Sequence, residues 1–146
     1  MLKIIGCAVF ILCSVSFAND VYADVDAVSV QGNSGSYRFS VTLKSIETGC
    51  EQYADWWELV SENGDLLYRR ILVHSHPDTQ PFTRGGGSLE ISKSEIVYVR
   101  AHMNTVGYTG KMMYGSVEKG FTEVTKLPTF SKAIEKQSPL PKGCLF

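Results

Sequence analysis

Beyond its first eighteen residues the sequence has no apolar run long enough to cross a bilayer. Positive charge is not in excess either: 14 Lys and Arg stand against 15 Asp and Glu, a formal net charge of −1. Nucleic-acid binders show a basic patch or stripe, so the sequence points to no nucleic-acid partner. No Gly-x-Ser-x-Gly elbow, phosphate-binding loop or dinucleotide glycine pattern occurs. No carboxylate pair stands out for acid–base work, so no catalytic residue is assigned. Internal repeats and low-complexity tracts are also missing.

What is present begins with the first eighteen residues. Lys3 gives a short positive start, and Ile4 to Phe17 is apolar over a length that suits a signal peptide. Ser16 and Ala18 fit cleavage before Asn19; Val21-Tyr22-Ala23 offers a second site, before Asp24. Ile4-Ile5-Gly6-Cys7 has the look of a lipoprotein box but lies too near the terminus to leave an apolar stretch before it. The expected organisation is a signal peptide over 1–18 and one domain over 19–146, periplasmic or secreted. Two of the four cysteines, Cys7 and Cys13, leave with the signal. Cys50 and Cys144 remain as an even pair in an exported chain and are expected to form one disulfide.

The mature part reads as short strands separated by turn residues. Tyr37, Phe39, Val41 and Leu43 alternate with Arg38, Ser40, Thr42 and Lys44, as on a half-buried strand. Trp56–Val60 and Leu66–His74 flank Glu62-Asn63-Gly64-Asp65, and Asn-Gly between two such runs signals a hairpin. Further strands are expected at Val25–Val30, Ser88–Ile91, Ile96–Met103 and Met112–Val117, with a long loop over Pro77–Gly87. Lys126–Gln137 is expected to hold about two helical turns, closed by Ser138-Pro139, and Pro141–Phe146 is a tail held by Cys144. About seven strands at roughly 8–12-residue spacing argue an all-β antiparallel sandwich.

Tyr98-Val99-Arg100-Ala101-His102-Met103-Asn104-Thr105-Val106-Gly107 resembles the penultimate strand of a fibronectin type III or immunoglobulin-like domain. The tandem Trp56-Trp57 fits the buried tryptophan of such sandwiches. The resemblance implies an Ig-like architecture and no activity. A second resemblance is to the cupins, metal-binding jelly rolls. His74-Ser75-His76, then Gln80 and Gly87, follow the spacing of the first cupin motif. Gln80 stands where that motif has Glu, and the second motif is missing before His102. Ala54-Asp55-Trp56-Trp57-Glu58, His74-Ser75-His76 and Gln80-Pro81-Phe82-Thr83-Arg84 together look like a group of small exported bacterial proteins with no activity to carry over.

Chemistry concentrates in Leu66–Gly87, which carries two of the chain's three histidines. On a strand, His74 and His76 share a face. In an Ig-like sandwich the strand before them runs parallel to the one ending at His102, so all three finish near one end. Three histidines could hold zinc with an open fourth position, and Met103, Met112 and Met113 would suit Cu(I). The plainer reading makes the histidines loop-end side chains and the methionines core filler. Arg69, Arg70, Arg84 and Arg100 flank the same region. Arg69 falls on an apolar face and needs a partner, with Asp55, Glu58 or Glu95 available; a carboxylate or phosphate ligand is the functional alternative. Phe82 beside Arg84 suits either a binding hot spot or a loop plugging the sandwich. The expected function is therefore a binding module for a protein or small-molecule ligand, using His74, His76, Gln80, Phe82, Arg84 and His102. The alternative is a copper- or zinc-binding periplasmic protein, cupin-like and enzymatic, with His74, His76 and His102 on the metal.

Overall fold

A computed structural model describes residues 20–124 and 128–145. The expected signal peptide over 1–18 lies outside the described residues. So does the start of the expected C-terminal helix. Eight strands form two antiparallel sheets. β1 (Ala23–Asn33), β2 (Ser36–Ser45) and β5 (Phe82–Leu89) make the smaller sheet, in the order β1-β2-β5. The larger has the order β4-β3-β6-β7-β8, from β4 (Leu66–Ile71), β3 (Ala54–Ser61), β6 (Val97–Met103), β7 (Met113–Ser116) and β8 (Gly120–Glu123). The fold is thus an all-β sandwich, as the strand spacing predicts. A jelly roll, built of Greek keys, would bring a later strand back beside the first; among the described residues the strand paired with β1 in its sheet is β2, and the later chain reaches it by a single backbone-to-backbone bond, Val25 N–H to the Lys111 carbonyl.

The alternating residues of β2 face inward: Phe39, Val41 and Leu43 are essentially inaccessible and Tyr37 nearly so. They pack against Trp57 and Leu59 of β3 and Val97, Val99, Ala101 and Met103 of β6. The β3–β4 hairpin forms at the Asn-Gly signal, where Gly64 takes φ +87° and donates its N–H to the Ser61 carbonyl.

The structure adds one strand, narrows the C-terminal helix and corrects one loop. Strand β8 is a four-residue arm of a hairpin with β7, too short and too exposed to show a period. The expected short C-terminal helix is present as a 3-10 helix confined to Lys132–Lys136. Gly85-Gly86-Gly87 lies inside β5, not in a loop. Its glycines answer a demand for space: a Cβ on Gly86 would stand 2.8 Å from Trp57 and 2.9 Å from Tyr68 of the facing sheet. The loop proper therefore runs from Leu72 to Pro81 and returns the chain to Phe82 in the core.

β3 is buried on both faces from Ala54 to Val60. Its inner face meets the core. Its outer face is covered by the C-terminal segment, which buries Ile134 and is held by the Cys50–Cys144 disulfide, Cα atoms 5.5 Å apart. Among the described residues no helix is long and apolar enough to cross a membrane.

Candidate functional site

The predicted site residues divide into two places. The first is centred on a buried carboxylate. Glu47 follows β2 and accepts hydrogen bonds from Ser45 Oγ, Ala54 N–H, Ser75 Oγ and the His76 N–H. This fixes the loop after β4 against the end of β2. Gln80 completes the anchorage: its Oε1 accepts from the Ser45 N–H, and its Nε2 donates to Ser45 Oγ and the His76 carbonyl. Phe82, for which a binding hot spot and a plug of the sandwich were both open, is 4% exposed and belongs to the core, as a plug would. Gln80, half-buried, anchors the loop, and Phe82 packs in the core beneath it.

The His76 ring is clamped above them. It stacks on Phe82 with ring centroids 3.9 Å apart, and its Nε2 accepts a hydrogen bond from Arg84. A guanidinium can only donate, so His76 is the neutral tautomer with its proton on Nδ1. That Nδ1 is buried without a hydrogen-bond partner; the nearest carboxylate oxygen, Glu47 Oε2, is 3.9 Å away. Burial, and next the Arg84 guanidinium, push the His76 pKa below its usual 6.5, against the pull of Glu47. His74 is exposed, and its Nδ1 is 2.8 Å from the Leu145 carbonyl. Arg70, His74, His76 and Arg84 then line a small cleft of about 60 Å³ between β4 and β5.

His102 lies elsewhere, on the outer face of the larger sheet. It stacks flat on Trp56, centroids 3.6 Å apart, and its Nδ1 is 2.6 Å from Asp55 Oδ1. A bulge between Ala54 and Trp56 turns Asp55 out of the alternation and toward the ring. Burial pushes the Asp55 carboxyl up, opposed by its bond to His102. The expected gathering of His74, His76 and His102 is therefore not formed. Each ring is engaged by a different partner set, and among the described residues no three His, Cys, Asp or Glu are placed to hold a metal. Met103 and Met112 are core filler at 0% and 6% exposure.

The arginines separate in the same way. Arg69 and Arg100 both pair with Glu58, at 2.6 and 2.7 Å, and Glu58 is wholly buried. The register puts Glu58 directly between them, opposite Arg69 on β4 and Arg100 on β6. Tyr108 donates its hydroxyl to the same carboxylate. Arg69 also donates to the carbonyls of Ile134, Gln137 and Pro139, and so clamps the C-terminal segment onto the sheet. These two arginines are structural. Arg70 and Arg84 differ: among the described residues neither has a carboxylate within 4.0 Å.

Two larger hollows adjoin other surfaces. One, of about 520 Å³, is mostly apolar and shares Ile71 and Val73 with the basic cleft; Pro139, Leu140, Lys142, Gly143, Cys144 and Leu145 complete it. The other, of about 680 Å³, lies between Asp20, Asp24, Lys111 and Glu123. Its cation is already met, Lys111 Nζ being 3.7 Å from Glu123. Sequence reasoning missed Glu47 and Tyr108, and named Asp55 for Arg69 and not for His102; these roles depend on a connection, a cross-face contact and a bulge that leave no periodic signal.

A protein of Halomicrobium mukohataei described as a candidate lipoprotein is 40% identical to this chain over 106 residues. The match covers 71% of this chain and 52% of that protein, so the chain spans about half the length of the curated relative it matches. No family model matches the chain, and no solved structure does.

Proposed function

We propose that the protein is an exported β-sandwich module, periplasmic or secreted, that works by binding, with the cleft between β4 and β5 as its working surface. One observation carries the binding reading. Arg70 and Arg84 line a cleft with two histidines and have no carboxylate partner among the described residues, while the structural arginines 69 and 100 are fully engaged. Export is supported by the signal-like start, the disulfide and the lipoprotein description of the relative.

Residues 19–146 are proposed as one domain, and the position of β1 favours cleavage after Ala18 over Ala23. Ala23 is 1% exposed and pairs with Ser45. The carbonyls of Tyr22 and Val21 accept from the Ile46 N–H and Thr109 Oγ1. Cleavage after Ala23 would discard all of these. The strand order, with β1-β2-β5 facing β4-β3-β6-β7, supports kinship with Ig-like domains.

Two measurements test the reading. Mass spectrometry of the protein recovered from outside the cytoplasm should find Asn19 at its amino terminus. An NMR screen of a mixed fragment library on the mature ¹⁵N-labelled protein should place its hits at residues 70–76 and 84. Hits confined to other surfaces would overturn the choice of site.

A further inference from the structure

We propose that the cleft and the hollow beside it together bind an anionic amphiphile: a carboxylate or phosphate head on Arg70 and Arg84, and an alkyl body along Val73, Leu140 and Leu145. The inference rests on the cleft being the working surface and goes further by naming the ligand class.

The head-group argument is one of charge and size. Where this fold uses an arginine for structure, it supplies a carboxylate in register, as Glu58 does for Arg69 and Arg100. At Arg70 and Arg84 none is supplied among the described residues. Arg84 is also aimed. The Thr83 carbonyl and His76 Nε2 accept from it, and its guanidinium carbon lies 5.4 Å from the Phe82 ring centre. A guanidinium held in place keeps free N–H groups for a planar or tetrahedral oxyanion at little further entropic cost. The cleft of about 60 Å³ is room for roughly two waters' share of volume, so it admits a head group and not a whole ligand.

The body argument is one of continuity. The apolar hollow of about 520 Å³ opens from the same Ile71 and Val73 that border the cleft. Its apolar side chains stand partly in the open: Val73 is 37% exposed, Leu140 43% and Leu145 60%. A cationic end joined to an apolar trough matches a molecule with an acidic end and a hydrocarbon length. A neutral lipid would leave the arginines unanswered, and a small anion would leave the trough empty.

The test uses decanoate and decyl phosphate as probes, with decanol, acetate and inorganic phosphate as comparisons, titrated into the mature disulfide-bonded protein by NMR. Decanoate or decyl phosphate should move the signals of Arg70, Arg84, Val73 and Leu140 together. Whichever of the two binds more tightly identifies the head. Decanol and the two small anions should each bind on the order of tenfold more weakly, the loss expected for one charge-assisted contact set. Arg70→Ala/Arg84→Ala should weaken the anionic probes by a similar factor while leaving decanol unchanged. Decanol binding as tightly as decanoate, or an unchanged affinity in the arginine variant, would overturn the proposal. Fragments that reach residues 70–76 and 84 while no amphiphile does would sink the ligand class and leave the binding surface standing.

Discussion

Glu58 and His76 show opposite ways of keeping a charged or titrating group inside a small sandwich. Glu58 is buried but answered on both oxygens, by Arg69, Arg100 and Tyr108. Burial and that carboxylate together push the Tyr108 hydroxyl pKa up, so it stays a donor. Replacing Glu58 by Gln leaves two buried guanidiniums without a counter-charge, and urea unfolding should show a loss of about 3–5 kcal/mol. His76 is instead kept neutral, with its pKa held below 6.5 by burial and by Arg84. A histidine whose folded pKa is depressed stabilises the fold fully above the unfolded value and loses that stability as pH falls through the folded one. The wild type should therefore lose melting temperature as pH drops below 6.5, and His76→Gln should flatten that slope. Asp55 acts in the reverse sense. Its raised carboxyl pKa stabilises the fold below 3.8 and loses that contribution as pH rises through the folded value, so the difference between variant and wild type isolates His76. At this scale the sequence is legible where a residue violates its pattern. Arg69 on an apolar face calls for a partner, and Glu58, one of three candidates, answers. Asp55 and Glu47 violate nothing visible, because a bulge and a connection set their direction.

Among the elements, β2 and β5 mark the limits of pattern reading. Strand β2 is legible because its solvent-facing residues are polar and its core residues large, giving a strict period of two. Strand β5 is illegible for a physical reason. Trp57 and Tyr68 lean across from the facing sheet and occupy the volume a side chain would need, so the strand is written in glycine, the usual signature of a loop. Tyr68 then accepts the Gly87 N–H on its hydroxyl, binding the sheets at their open edge. Gly86→Ala would drive a methyl into two packed rings. A cost of about 1–3 kcal/mol is expected from overpacking, measurable by chemical denaturation. The same change at Gly85, whose nearest neighbour to an added Cβ is 3.7 Å away, serves as the tolerated control.

The whole molecule is held by a cross-link and a clamp acting on one segment. Cys50–Cys144 closes 94 residues of sequence separation, and Arg69 grips three backbone carbonyls of the same C-terminal stretch. In the chain-entropy view, Cys50→Ser/Cys144→Ser costs about 4–5 kcal/mol. Calorimetry should therefore record a large fall in melting temperature. The disulfide was legible from cysteine count and export together. The covering of the outer face of β3 was not, because an irregular segment with one 3-10 turn carries no period to reveal what it lies on.

The cross-link also decides how the molecule responds to being pulled. Tension applied between residues 20 and 145 passes from Cys50 to Cys144 through sulfur, so everything between those two residues, the larger sheet included, lies outside the covalent load path. Only β1, β2 and the short run to Cys50 can be drawn out. At about 3.3–3.6 Å per residue, the two ends can part by roughly 100 Å before the chain goes taut, with the basic cleft's β4 and its loop spared along with the rest of the bridged length.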